Sequence, residues 1–193
     1  MSRLTDLLKG QQIDLDAVSQ HLDSLSNQER VAQVRAVPGS QQRRLFQSAA
    51  GWRPLSLADL VPPSTAEESF VRHLGKNSLP LFSHFEKRFA RPETNQEVLW
   101  GYNFSALMGL IGPGHFVLRE GPDAGELQVD YYALPERVIG DAPGLKPNDR
   151  GISALVYGNM IDVLRGISTH VSVGRAIKRG KETNNYFLLC REA

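Results

Sequence analysis

The sequence predicts an α+β fold: a small N-terminal helical bundle followed by a mostly antiparallel β-barrel or strongly curved β-sheet with one inserted helix. Three observations carry this reading. Apolar residues recur at helical spacing through residues 1–60, the period changes to two from Ser69 onward, and glycine and proline turns separate the later apolar segments at short intervals. The predicted organisation is 1–63, helices and connector, then 64–193, the barrel or curved sheet.

Leu4, Leu7 and Leu8 form a short apolar stripe that stops at Gly10. Asp14 opens a second helix carrying Leu15, Val18, Leu22 and Leu25. Ser26 and Glu29 have the spacing of a capping box and start a third helix through Val31 and Val34, ended by Pro38-Gly39. Ser40 is placed to cap a fourth, with Leu45, Phe46 and Ala49. None of these helices is long enough to be stable alone, so they must pack on each other or on the remainder. Pro54, Pro62 and Pro63 punctuate a connector in which 56–60 allows one helical turn.

Beyond the connector, Phe70 to Leu74 alternates. The segment from Leu79 to Phe89 reads as the inserted helix, with Pro80 at its first turn and Phe82, Phe85 and Phe89 on one face. Strands are then expected at Val98–Phe104, His115–Glu120, Glu126–Leu134 and Ile152–Tyr157, the last turning at Gly158-Asn159 into a long strand from Met160 to Lys178 bent at Gly166 or Gly174. Residues 135–151 form a long loop, and Tyr186 to Arg191 is the final strand. About seven strands joined by short links pair antiparallel and curl into a barrel or sandwich. The chain has neither the strand–helix–strand alternation nor the glycine pattern of a doubly wound nucleotide-binding fold.

The chain has 193 residues, 22 basic and 21 acidic side chains and a formal net charge of +1, which argues against a general nucleic-acid binder. The balance is a cancellation. Residues 146–193 hold eight basic groups (Lys146, Arg150, Arg165, Arg175, Lys178, Arg179, Lys181, Arg191) against four acidic ones (Asp149, Asp162, Glu182, Glu192), while the middle of the chain is acidic. Arg175, Lys178, Arg179 and Lys181 therefore form a candidate contact for an anion or an acidic partner. Cys190 is the one cysteine, so no intrachain disulfide is possible, and its apolar neighbours make it a buried small hydrophobe. No signal-peptide pattern and no membrane-spanning apolar run is read, and a cytoplasmic location is expected.

No nucleophile elbow and no metal-ligand spacing occurs. His73, His115 and His170 fall on different segments and could converge only in a closed barrel; no metal is expected. Cofactors are not indicated. Gly112-Pro113-Gly114 reads as a structural turn. The acidic residues on the expected strands are Glu120, Glu126, Asp130 and Asp162, near Arg119, Tyr131, Tyr132 and Arg165.

The leading expectation is a non-catalytic binding protein. A barrel lined by aromatics such as Trp100, Tyr102, Phe104, Phe116 and Tyr131 would hold an apolar or aromatic small molecule, with Asp130, Tyr132 and Arg165 orienting a polar group. The alternatives are a protein–protein adaptor docking through the N-terminal helices and the Phe82–Phe89 helix, and an enzyme acting in the same cavity through His115, Asp130, Tyr132 or Arg165.

Overall fold

A computed structural model describes residues 3–79 and 83–192. Five N-terminal helices, α1 (Leu4–Leu7), α2 (Leu15–Asp23), α3 (Asn27–Arg35), α4 (Gly39–Ser48) and α5 (Leu57–Leu60), precede the strands. Eight strands follow: β1 (Val71–Asn77), β2 (His84–Ala90), β3 (Leu99–Phe104), β4 (Phe116–Glu120), β5 (Leu127–Asp130), β6 (Met160–Gly166), β7 (Val171–Lys178) and β8 (Lys181–Arg191). Two short helices interrupt them, α6 (Met108–Ile111) and α7 (Gly151–Val156). The strands form a closed antiparallel barrel in sequence order, with β8 pairing back on β1. Closure leaves no sheet edge to protect.

Local sequence fixes the helix starts. The Asp14 carboxylate accepts from Ala17 N at the head of α2, and Ser26 and Glu29 form the expected capping box on α3. α4 begins two residues earlier than expected: Pro38 is its N-cap and Ser40 lies inside the first turn. The Arg30 guanidinium donates to the carbonyls of Leu22 and Leu25, satisfying the end of α2.

The bundle does not form a core of its own. Leu4, Leu8, Val18, Leu22, Leu45 and Phe46 share one apolar cluster with Val163, Val171, Val173, Tyr186, Leu188 and Cys190 on the outer faces of β6, β7 and β8. Phe46 packs at 5.7 Å from the Tyr186 ring. Cys190 is buried there, and burial pushes its thiol up to about 11. On the far side, the loop after β5 lays Ile139 over Trp100, Val117 and Ala90. Both surfaces of much of the barrel wall are therefore dry.

Inside, Phe89, Leu99, Phe116, Leu118, Leu127, Val129, Leu164 and Leu189 fill one half of the barrel, and Leu60 and Val61 close that end. Inward glycines make room for rings on the neighbouring strand. Gly75 faces Phe85 and Gly174 faces Phe187 directly across the ladder, and a Cβ on Gly75 would come within 2.6 Å of the Phe85 ring.

Three expected elements are replaced. The segment read as a helix over Leu79–Phe89 is strand β2 from His84, paired with β1 from Val71↔Phe89 to Lys76↔His84; Pro80, Leu81 and Phe82 lie outside the described residues. Phe85 and Phe89 share a helical face, but they also share the inward parity of a strand, and the ladder decides. Ile152–Tyr157 is helix α7 in place of a strand. The single long strand from Met160 to Lys178 is a hairpin, β6 and β7, turning at 167–170. Gly166 pairs with Ser172, an even spacing, so side-chain parity runs through the turn unbroken and the alternation cannot reveal it.

Candidate functional site

The other half of the barrel is open. A cavity of about 250 Å³ begins among Asn77, Lys178, Thr183 and Asn185, passes Phe85, Ile111, Val156, Met160 and Phe187, and ends at Lys87, Asn103, Tyr131 and Asp162. Its walls are mostly apolar and its floor is charged.

The floor is built by strand parity. Phe85, Lys87 and Phe89 point inward from β2, so Lys87 stands mid-strand in the barrel axis. Asn103 on β3, Tyr131 just after β5 and Asp162 on β6 project to meet it. Lys87 Nζ lies 2.9 Å from Asp162 Oδ2 and donates to Asn103 Oδ1 at 3.0 Å and to the Tyr131 hydroxyl. The Tyr131 hydroxyl also donates to Asp162 Oδ2 at 3.3 Å. The Lys87 amine sits 5.0 Å from the ring centres of both Phe116 and Tyr131.

The surroundings hold this cluster rigidly. Asn103 Nδ2 donates to the Gly114 carbonyl at 3.0 Å, and Asn103 N to the Pro113 carbonyl at 2.7 Å. The Gly112-Pro113-Gly114 turn thus fixes the amide that holds the lysine. Tyr157 stacks on Tyr131, 5.5 Å and 14° apart, and Gly114, at a φ of +54°, has no Cβ to strike the Tyr157 ring. Asn148 ties down the carbonyls of His115 and Tyr131 at 2.7 and 3.0 Å.

Lys87 is only 2% exposed. Burial lowers the affinity of its amine for a proton, and Asp162 opposes that by favouring the ammonium. Burial likewise pushes the Tyr131 and Tyr157 hydroxyls up, so both stay protonated donors. A desolvated ion pair of this kind contributes little net stability compared with apolar residues of similar volume. Its position at the bottom of an accessible cavity marks it as a functional candidate.

The residues expected from sequence lie elsewhere, with the exception of Phe116 and Tyr131, which are inward, and Lys178. Trp100, Tyr102 and Phe104 are on the outer wall: Trp100 under the Ile139 loop, Tyr102 against Phe70 and Arg88, and Phe104 stacked on the Arg88 guanidinium at 4.3 Å. The inward parity of β3 belongs to Leu99, Gly101 and Asn103. Asp130 faces outward and pairs with Arg119 at 2.7 Å, and Tyr132 is exposed. Arg165 pairs with Glu126 at 2.6 Å and lies 4.0 Å from the Phe46 ring centre, beneath α4. None of these six residues borders the cavity, and Phe116, though inward, lies in the filled half.

The basic group also divides. Arg175 pairs with Glu182 and packs over Phe46, Lys178 lines the cavity mouth and donates to the Leu155 carbonyl at 2.5 Å, and Arg179 and Lys181 occupy the β7–β8 turn. The three histidines do not converge. His73 is buried at the closed end with Nε2 2.9 Å from the Leu60 carbonyl, His170 sits in the β6–β7 turn, and His115 lies 5.9 Å from the Tyr102 ring on the outer wall. Among the described residues no group of three or more His, Cys, Asp or Glu is placed to hold a metal ion, and no helix is long and apolar enough to cross a membrane.

In the sequence Asp162 stands only as one of four acidic residues on the expected strands, with the polar role expected of Asp130, and Lys87, Asn103 and Tyr157 were missed. The signal for Lys87 was present. Phe85-Glu86-Lys87-Arg88-Phe89 places a lysine between two phenylalanines at strand parity, which puts a charge in the apolar row. Comparison with protein-family models, curated proteins and solved structures gives no match to this chain.

Proposed function

We propose that this barrel is a binding protein for a small, largely apolar molecule that carries one hydrogen-bonding oxygen. The observation that carries the reading is the buried Lys87–Asp162 pair at the floor of an otherwise apolar cavity. A carbonyl or carboxyl oxygen reaching the floor would accept from Lys87 or Tyr131, and the remainder of the ligand would lie along Phe85, Met160 and Phe187. The volume of about 250 Å³ sits just below the usual range for drug-sized ligands, which favours a compact occupant. The test is solvent extraction and mass spectrometry of protein purified from its native cell. One co-purifying species is expected, and it should be lost in Met160→Trp, which fills the cavity. An empty extract, together with no binding of aliphatic ketones or acids in solution, overturns the reading.

The same floor favours a second reading, catalysis or covalent capture at Lys87. Loss of the ammonium proton to Asp162 would leave a neutral amine to attack an aldehyde or ketone carbon. The carbonyl oxygen would leave as water, taking up two protons, and the product would be an iminium on Nζ. Borohydride reduction with hexanal, followed by peptide mapping, distinguishes the two: a reduced adduct on Lys87 supports the covalent reading, and adducts confined to surface lysines exclude it.

A further inference from the structure

The cavity mouth is surrounded by apolar side chains that the fold does not use. α7 buries none of its residues, and Leu155 on it is 76% exposed; across from it Leu110 of α6 is 65% exposed. Leu107 and Ile152 are exposed beside them. The two helices are held side by side, with Ser153 Oγ donating to the Ile111 carbonyl at 2.6 Å. Leu155 and Ile111 also line the cavity, so this patch is continuous with its entrance. Single exposed leucines need no explanation, but a cluster on two adjacent helices at a cavity mouth marks a contact surface.

The charge beside the patch indicates what the surface meets. The β7–β8 turn, Lys178 to Lys181, touches α7 through the bond from Lys178 Nζ to the Leu155 carbonyl. Lys178, Arg179 and Lys181 form no ion pair among the described residues, and the adjacent acid, Glu182, is taken by Arg175. Asp149 and Arg150, just before α7, offset each other. An apolar crown flanked by unpaired cations complements a surface with anionic groups above a hydrocarbon layer.

We propose that the mouth of the barrel docks on an anionic lipid surface, with Leu110 and Leu155 entering the acyl region and Arg179 and Lys181 facing the lipid phosphates. Docked in this way, the entrance opens onto the bilayer, and an apolar ligand passes between membrane and cavity without crossing water. This goes beyond the binding reading and can fail separately from it, because ligand affinity in solution and vesicle association are separate measurements.

The experiment is co-sedimentation of the full chain with vesicles of phosphatidylcholine alone and of phosphatidylcholine containing phosphatidylglycerol. Sedimentation is expected with the anionic vesicles, weaker with the neutral ones, and reduced by added salt. The Leu110→Asp/Leu155→Asp double variant should lose association by about tenfold or more, with an unchanged unfolding midpoint because both residues are exposed. Should that variant fail to fold, Arg179→Glu/Lys181→Glu carries the same expectation. The proposal is overturned if wild type ignores anionic vesicles, or if the folded variants sediment as wild type does. It is equally overturned if light scattering shows a wild-type dimer that Leu110→Asp/Leu155→Asp turns into a monomer, which would make the patch an interface between two copies.

Discussion

The two halves of the barrel interior use the same strands to opposite ends. Toward Leu60 and Val61, inward positions carry Phe89, Leu99, Leu118, Leu127, Val129 and Leu164, and the space is filled. Toward the mouth, inward positions further along β2, β3 and β6, and the one just after β5, carry Lys87, Asn103, Asp162 and Tyr131, and a cavity remains above them. One half holds the barrel together and the other departs from what stability alone would select. Apolar burial at the closed end is worth roughly 1.5–3 kcal/mol per large side chain, whereas the Lys87–Asp162 pair about breaks even against apolar replacements. The contrast sets a closed end that serves folding against an open end that is the proposed binding site.

Removing one partner of the pair should break that contrast most severely. Lys87→Met leaves Asp162 charged, buried and unpaired, and is expected to cost about 3–5 kcal/mol in urea unfolding. Lys87→Met/Asp162→Leu should restore stability to near wild type. A double variant as unstable as the single one would place the pair among the structural elements. At the closed end, Leu118→Ala is expected to cost about 2–5 kcal/mol, with no companion substitution at the floor relieving it.

A smaller effect separates the two ends by pH. Burial at the closed end, aided by the Arg191 and His170 charges, lowers His73 to about 3, against the bonding of Leu60 that favours the protonated ring. The folded value lies below the unfolded one, so as pH falls the unfolded chain takes up this proton first. The stability His73 confers is complete above pH 6.5 and is lost progressively toward pH 3, by about 2 kcal/mol at pH 5. His73→Leu should flatten the pH dependence of the unfolding midpoint through that window. An unchanged slope would mean that other groups set it.

The fold class was legible in the sequence because turns and two-fold alternation are local. Which face of each strand points inward was not. The apolar parity of Val163, Val171 and Val173 faces outward beneath the helices, and Trp100 faces outward beneath Ile139, because both surfaces of the wall are covered. Periodicity identifies two faces but cannot tell inside from outside when neither is wet. For the same reason the aromatics expected to line the cavity were taken from the wrong face of β3. Lys87 was hidden by a competing periodicity, since Phe85 and Phe89 are four apart and suit a helix as well as a strand. Only pairing with β1, a non-local fact, resolves it.

The most direct test of the account is a titration of 2-octanone followed by amide NMR in wild type and in Lys87→Met/Asp162→Leu. Saturable one-to-one binding is expected in wild type, with shifts centred on Asn103, Tyr131, Tyr157 and Met160, and most of that affinity should be lost in the folded double variant. Equal affinity in the two proteins, or shifts confined to the outer wall around Trp100 and Tyr102, would contradict it.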